Sequence, residues 1–347
     1  MVFFFLASGL FLGWSLGAND GANVFGTAVG TRMLKFKTAA TICAVFVIIG
    51  AVISGSGTSQ TINELGNIEA IAGSFMVALA AAISVFTMSK FKMPVSTSQA
   101  IVGAIIGWDL FAYYPINYKS LTAIVSAWVA SPIIAAVGSI ILFSIIRSIV
   151  NRGHIHVLRL DLYTRIGLVI VCAAGAYSLG ANNIANVMGV FVGVNPFSDI
   201  VFNSSFTITA NQQLYFMGGL AIAIGIITYS KKVIETVGKS IFKLSPESAF
   251  AAVASSTVVL FLFSSVKLQL FMHSLGLPAL PLVPLSSSQA IVGAVIGIGI
   301  VKGAGSIRYK VLGEIALGWV ITPVLAGIIS FIALFFLQNV FNQKVTF

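Results

Sequence analysis

Two polar segments, each present twice, are the parts of this 347-residue chain equipped for chemistry. Residues 15–30 read SLGANDGANVFGTAVG and residues 178–193 read SLGANNIANVMGVFVG. Residues 94–107 read PVSTSQAIVGAIIG and residues 284–297 read PLSSSQAIVGAVIG. The first pair sets Asn19, Asp20 and Asn23, and then Asn182, Asn183 and Asn186, within otherwise apolar sequence. Carboxylate, carboxamide and carbonyl oxygens suit a hard cation. Asn, Asp and Gly are poor helix formers, so a break is expected in each helix, with Asn19 and Asn182 shaping it and backbone carbonyls freed. The competing reading is helix packing, in which small residues let helices approach and Asn bonds across them. Recurrence in both halves favours a site.

The second pair places Ser96, Thr97, Ser98 and Gln99 after Pro94, and Ser286, Ser287, Ser288 and Gln289 after Pro284. Proline and hydroxyls ahead of an apolar run mark a helix start. A helix N-terminus presents unpaired N–H groups and partial positive charge, which suit an anion. A cap uses one hydroxyl, and each segment offers three and a Gln. Neither motif contains Lys or Arg. An anion held there is neutralised by dipoles, neutral donors and a neighbouring cation, so that each ligand raises the other's affinity.

The elements that carry these motifs are membrane helices. Of the residues 58% are hydrophobic and 8% charged, with mean hydropathy +1.03. Soluble domains carry about a quarter charged residues, so a soluble enzyme or a nucleic-acid-binding protein is excluded. Apolar runs of spanning length, about 20 residues, fall at 2–30, 38–57, 70–89, 97–112 and 121–147, then at 165–193, 213–230, 247–265, 285–301 and 311–337. Continuous runs of this kind rule out an outer-membrane barrel. The first run has no basic n-region and reads as a retained helix rather than a signal peptide. Cys43 and Cys172 supply neither a disulfide framework nor a zinc cluster. His154, His156 and His273 lack metal-ligand spacing. Asp109 and Glu314 lie near run ends, where basic residues can pair with them.

The net charge of +10 is a topology signal. With the N-terminus outside and ten crossings, sixteen of the nineteen Lys and Arg fall on one side, leaving Lys119, Lys267 and Lys344 opposite. The positive-inside rule makes the richer side cytoplasmic, in the plasma membrane, with both termini outside.

Two motifs recurring in the same order mean two homologous halves, residues 1–147 and 165–347, joined by a basic cytoplasmic linker, 148–164. An odd number of crossings in each half inverts the second. Parity is unchanged if the third and fourth runs of each half are the arms of a re-entrant hairpin. The expected fold is an all-α polytopic membrane protein of two inverted repeats, with a site near the midplane where they meet. Channels with inverted halves remain an alternative.

The duplicated GAND-x-AN segment, matched at Gly17–Asn23 and less completely at Gly180–Asn186, and the P-x-S-[ST]-[ST] segments at 94–98 and 284–288 resemble the PiT family of inorganic phosphate transporters. Gly225–Gly238 resembles family sequence as well. The resemblance spans nearly the whole chain and implies re-entrant hairpins, frequent dimers, and phosphate carried with sodium or protons. On that basis Ser96, Thr97, Ser98, Gln99, Ser286, Ser287, Ser288 and Gln289 are expected around phosphate. Asp20, Asn23, Asn183 and Asn186, with Asn19 and Asn182, are expected at sodium. Sodium is the only ligand besides phosphate that this reading requires; no further cofactor is expected. Asn183 stands where many members carry Asp, and Gln99 and Gln289 stand where many carry His. The absence of a large hydrophilic loop suggests a compact prokaryotic member. Sodium is preferred to protons because Asp20 is the single clear midmembrane acid, and carboxamides bind sodium without titrating. Proton coupling, a sulfate or other oxyanion substrate, and an anion channel are the rivals. An enzyme lacks a nucleophile with a base.

Overall fold

The computed structural model describes residues 2–91, 95–153, 155–203, 206–237, 244–303 and 308–345. Lys92, Pro94, His154, Gly238, Lys239 and Lys243 lie outside the described residues. The chain is helical nearly throughout, apart from a short antiparallel hairpin of β1 (Ile200–Asn203) and β2 (Phe206–Ile208) in a connection where no strand was expected.

Six helices are long and apolar enough to cross a bilayer: α1 (Val2–Gly30), α2 (Phe36–Ser54), α4 (Ile71–Lys90), α6 (Tyr118–Gly153), α8 (Ala210–Thr228) and α13 (Tyr309–Asn339). At 32 residues α7 (Val157–Met188) matches them in length, whereas α3 (Ser56–Gly66) and α9 (Ser230–Val237) are short. On α6 the residues Val125, Val129, Ile133, Val137, Ile141, Ile145 and Ile149 are exposed. An exposed apolar stripe of this length is what a lipid-facing helix presents. The protein is a multi-pass membrane protein.

Ten full crossings do not occur. α5 (Thr97–Ala112) and α12 (Ser287–Val301) have 16 and 15 residues. At 1.5 Å per residue they reach about 24 and 22 Å, short of the roughly 30 Å of hydrocarbon. Each returns toward the end its hairpin came from. After α5, Asn117 donates to Glu64 O at 3.1 Å, in the short helix α3 that precedes α4. That helix also includes Asn63, which accepts from Gly193 N at 2.9 Å. After α12, Lys302 Nζ donates to Ser245 Oγ at 3.3 Å, just before α10 (Pro246–Leu262). Arg165 Nη1 gathers at that basic end too, donating to Met33 O at 2.8 Å. The two hairpins therefore have their feet among different loops, one basic and one nearly free of basic residues. The second is the more elaborate: α10 turns by 70° into α11 (Val266–Ser274), and an extended run follows to Ser286.

The expected breaks in the first helix of each half are absent. α1 and α7 run unbroken through Asn19–Asn23 and Asn182–Asn186. Their polar side chains find partners in the hairpin tips, so the backbone keeps its own hydrogen bonds and low propensity is overridden. The glycines serve close packing. A Cβ on Gly17 would collide with Ile222 O of α8, and one on Gly180 with Val47 O of α2. A Cβ on Gly103 of α5 would collide with Pro323 O of α13, and one on Gly293 of α12 with Pro132 O of α6. In each of these four pairs the two helices lie backbone to backbone.

Candidate functional site

The four polar segments converge. α5 and α12 begin at Ser96 and Ser286, whose hydroxyls accept from the Gln99 and Gln289 backbone N–H, both at 3.3 Å. One hydroxyl of each tip is therefore an ordinary N-cap, and the rest are left for other work. The tips touch each other: Ser98 Oγ donates to Leu285 O at 2.8 Å, and Ser288 Oγ to Val95 O at 3.4 Å.

The asparagines of α1 and α7 hold both tips. Asn182 clamps Leu285, donating to its carbonyl at 2.8 Å and accepting from its N–H at 2.9 Å. Asn186 Nδ2 donates to Ser98 Oγ and to Asn183 Oδ1, both at 2.8 Å. On the other side Asn19 Nδ2 donates to Asp20 Oδ1 at 2.8 Å and approaches Val95 O at 3.5 Å. Asn23 Nδ2 donates to Ser287 Oγ at 3.1 Å, and the Ser287 hydroxyl also meets Asp20. Thus each broken-helix candidate is instead an intact helix that bridges the hairpin of its own half to that of the other. Asn19 and Asn182 anchor hairpin tips rather than shape breaks.

All fourteen expected site residues lie on the four converging segments. Asn19, Asn23 and Ser288 are half-buried and the others are buried. Asp20 is 3% exposed and has no basic partner among the described residues. A buried, unpaired carboxylate is unfavourable unless a cation or a proton neutralises it. Thr97 Oγ1, Gln99 Oε1, Asn183 Nδ2, Asn186 Oδ1 and Gln289 Oε1 are buried with no hydrogen-bond partner among the described residues. Leaving one such group unpaired costs about 1–3 kcal/mol, and these five lie on the converging segments. The set mixes oxygen acceptors suited to a cation with donors suited to an anion.

The Val95 and Leu285 carbonyls belong to the cluster and carried no signal in their apolar side chains. Asp109 is a second buried carboxylate, 1% exposed with Oδ2 unpaired, and lacks the basic partner expected for it among the described residues. Trp14, Ser15, Asn19, Ser89 and Lys90 line a narrow groove.

The Asn182 clamp sets an expectation. Asn182→Ala leaves the Leu285 N–H unpaired and removes one of the two bonds to its carbonyl, which Ser98 still meets, and should destabilise the protein by about 1–3 kcal/mol. Asn19→Ala, which loses only the long approach to Val95 and the bond to Asp20, should cost less. Thermal unfolding of the two purified variants ranks them.

Comparison with known proteins gives a consistent picture. A family model described as the phosphate transporter family matches residues 16–161, 153–330 and 277–346. A protein of Methanocaldococcus jannaschii named as a phosphate permease is 31% identical over 318 residues, 91% of each chain. One of Pyrococcus abyssi with the same naming is 27% identical over 401 residues, 94% of this chain and 95% of the relative. A solved structure titled the sodium-dependent phosphate transporter is similar with TM-score 0.73 at 23% identity, covering 96% of this chain and 98% of that one, which establishes a shared fold. The chain belongs to the phosphate transporter family.

Proposed function

We propose that this protein imports inorganic phosphate across the plasma membrane together with sodium, by alternating access between two inverted repeats, residues 1–147 and 165–347. The observation that carries the reading is the buried cluster in which two hairpin tips meet two polar helix segments and leave both donors and acceptors unpaired. Ser96–Gln99 and Ser286–Gln289 surround phosphate with hydroxyls, amides and two helix N-termini. Asp20, Asn23, Asn183 and Asn186 supply oxygens for sodium, with Asn19 and Asn182 holding the tips against them. The repeats work as a homodimer in the membrane, with both termini outside.

Coupling follows from the charges. The hairpin motifs contain no Lys or Arg, and the cation next to them supplies the missing positive field. Hairpins rooted at different ends of the molecule give each half its own gate, and rocking one against the other exposes the cluster to one side at a time. Sodium is favoured because most of the oxygen set is non-titrating amide and hydroxyl. Purified protein in liposomes should take up labelled phosphate under an inward sodium gradient, and uptake should fall to background when choline replaces sodium at fixed pH. Uptake driven by an imposed pH gradient without sodium would overturn the reading.

A further inference from the structure

Away from the transport cluster, α6, α10 and α12 meet at the basic end around an open cavity of about 1040 Å³. Its lining is divided by chemistry. Phe143, Ile146 and Val150 of α6 and Val301 of α12 form an apolar wall, while Arg147, Asn151, Ser245 and Lys302 supply polar groups and Glu247 a carboxylate. Lys302 Nζ donates to Ser245 Oγ at 3.3 Å and to Ser248 Oγ at 3.1 Å, and lies 5.1 Å from the Phe143 ring centroid.

These contacts fix an ammonium against the first turn of α10, which is the positive end of that helix dipole. Burial draws Lys302 below the usual lysine range; Glu247 opposes this, and the Arg147 charge adds to it. Among the residues lining the cavity, Arg147, Lys302 and the N-terminus of α10 outnumber the one carboxylate, Glu247, which suits an anion. The apolar wall lies beside this cationic rim, where helices α6 and α12 end.

We propose that this cavity is a binding site for an anionic phospholipid, its phosphate headgroup between Arg147 and Lys302 and its acyl chain along Phe143, Ile146, Val150 and Val301. Basic pockets between membrane helices have this chemistry. Free phosphate shares the headgroup's anionic oxygens but has nothing to place against the apolar wall. The lipid joins the end of α12 to α6 and α10, and the opposite end of α12 carries Ser286–Gln289, so occupancy braces the second hairpin.

The test is native mass spectrometry of the full-length protein in non-ionic detergent, titrated with dioctanoyl phosphatidylglycerol or dioctanoyl phosphatidylcholine. Phosphatidylglycerol should bind saturably and phosphatidylcholine at least about tenfold more weakly. Arg147→Gln with Lys302→Gln should weaken phosphatidylglycerol binding at least about tenfold, while Glu247→Gln, which removes the opposing charge, should strengthen it. Millimolar inorganic phosphate should leave the bound lipid in place. Equal binding of the two lipids, an unchanged titration in the double variant, weaker binding in Glu247→Gln, or displacement by inorganic phosphate would each overturn the assignment.

Discussion

Asp20→Asn is expected to lower sodium-driven phosphate uptake by about thirty- to hundredfold, the size of effect seen when one partner of a close, desolvated charge pair is neutralised. Asp20 is the single carboxylate in the cluster, it is 3% exposed, and it has no basic side chain beside it among the described residues. The substitution keeps the shape and keeps one oxygen near Asn19 and Ser287, so protein yield should be unchanged. It also gives α1 the residue that α7 carries at Asn183. The two positions are equivalent in the repeat, and the Asn183 side-chain oxygen already accepts from Asn182 and Asn186. Asn183→Asp preserves both bonds and places a carboxylate on the opposite side of the same cluster. In the Asp20→Asn background it should restore part of the sodium-dependent uptake. Near-parental sodium dependence in Asp20→Asn alone removes Asp20 from the cation site. Uptake at fixed external phosphate over a sodium titration reads both variants.

Gly17→Val should be strongly damaging to the fold. A Cβ at this position would overlap Ile222 O and press on Ile222 C at 2.8 Å and Cα at 3.0 Å, all backbone atoms of α8. A backbone cannot swing aside as a side chain can, so α1 and α8 must separate. Overpacking of a well-packed contact costs typically about 1–3 kcal/mol and more when main chain must move; a loss of about 3 kcal/mol or more is expected here. Gly30→Ala is the control, since nothing lies within 4 Å of its Cβ position. Fluorescence-detected size-exclusion profiles after a temperature series should show Gly17→Val collapsing well below the parent and Gly30→Ala superimposing on it. A Gly17→Val protein as heat-resistant as the parent would contradict the close packing of α1 on α8.

Much of the site was legible because its residues are chemically conspicuous where they stand. Polar segments inside apolar runs, duplicated in order, have few roles in a membrane other than meeting one another, and the four segments converge. Other features depended on tertiary context. The Asn and Gly content of residues 17–23 argues for a helix break only if the side chains compete for the backbone; Ser287, Leu285 and Val95 supply other partners, and the helices stay whole. The Asn182 clamp is made to main-chain atoms of Leu285, whose side chain gives no hint of it. Residues 97–112 have the hydropathy of a crossing, but the 16-residue helix is too short to span, and the contact of Asn117 with Glu64 marks the chain's return to the end it left. The bend between α10 and α11 had no counterpart in the first half to compare with. The cavity at Arg147 and Lys302 joins residues far apart in sequence, and as separate charges they signalled topology alone.

The central claim is that a cation next to the hairpin tips builds part of the phosphate site. The most direct measurement is calorimetric titration of phosphate into the purified protein with sodium and with choline, paired with titration of sodium with and without phosphate. Sodium should tighten phosphate at least about tenfold, and phosphate should tighten sodium by the same factor, because coupling between two sites is reciprocal. Phosphate affinity that is identical in sodium and choline would contradict the account.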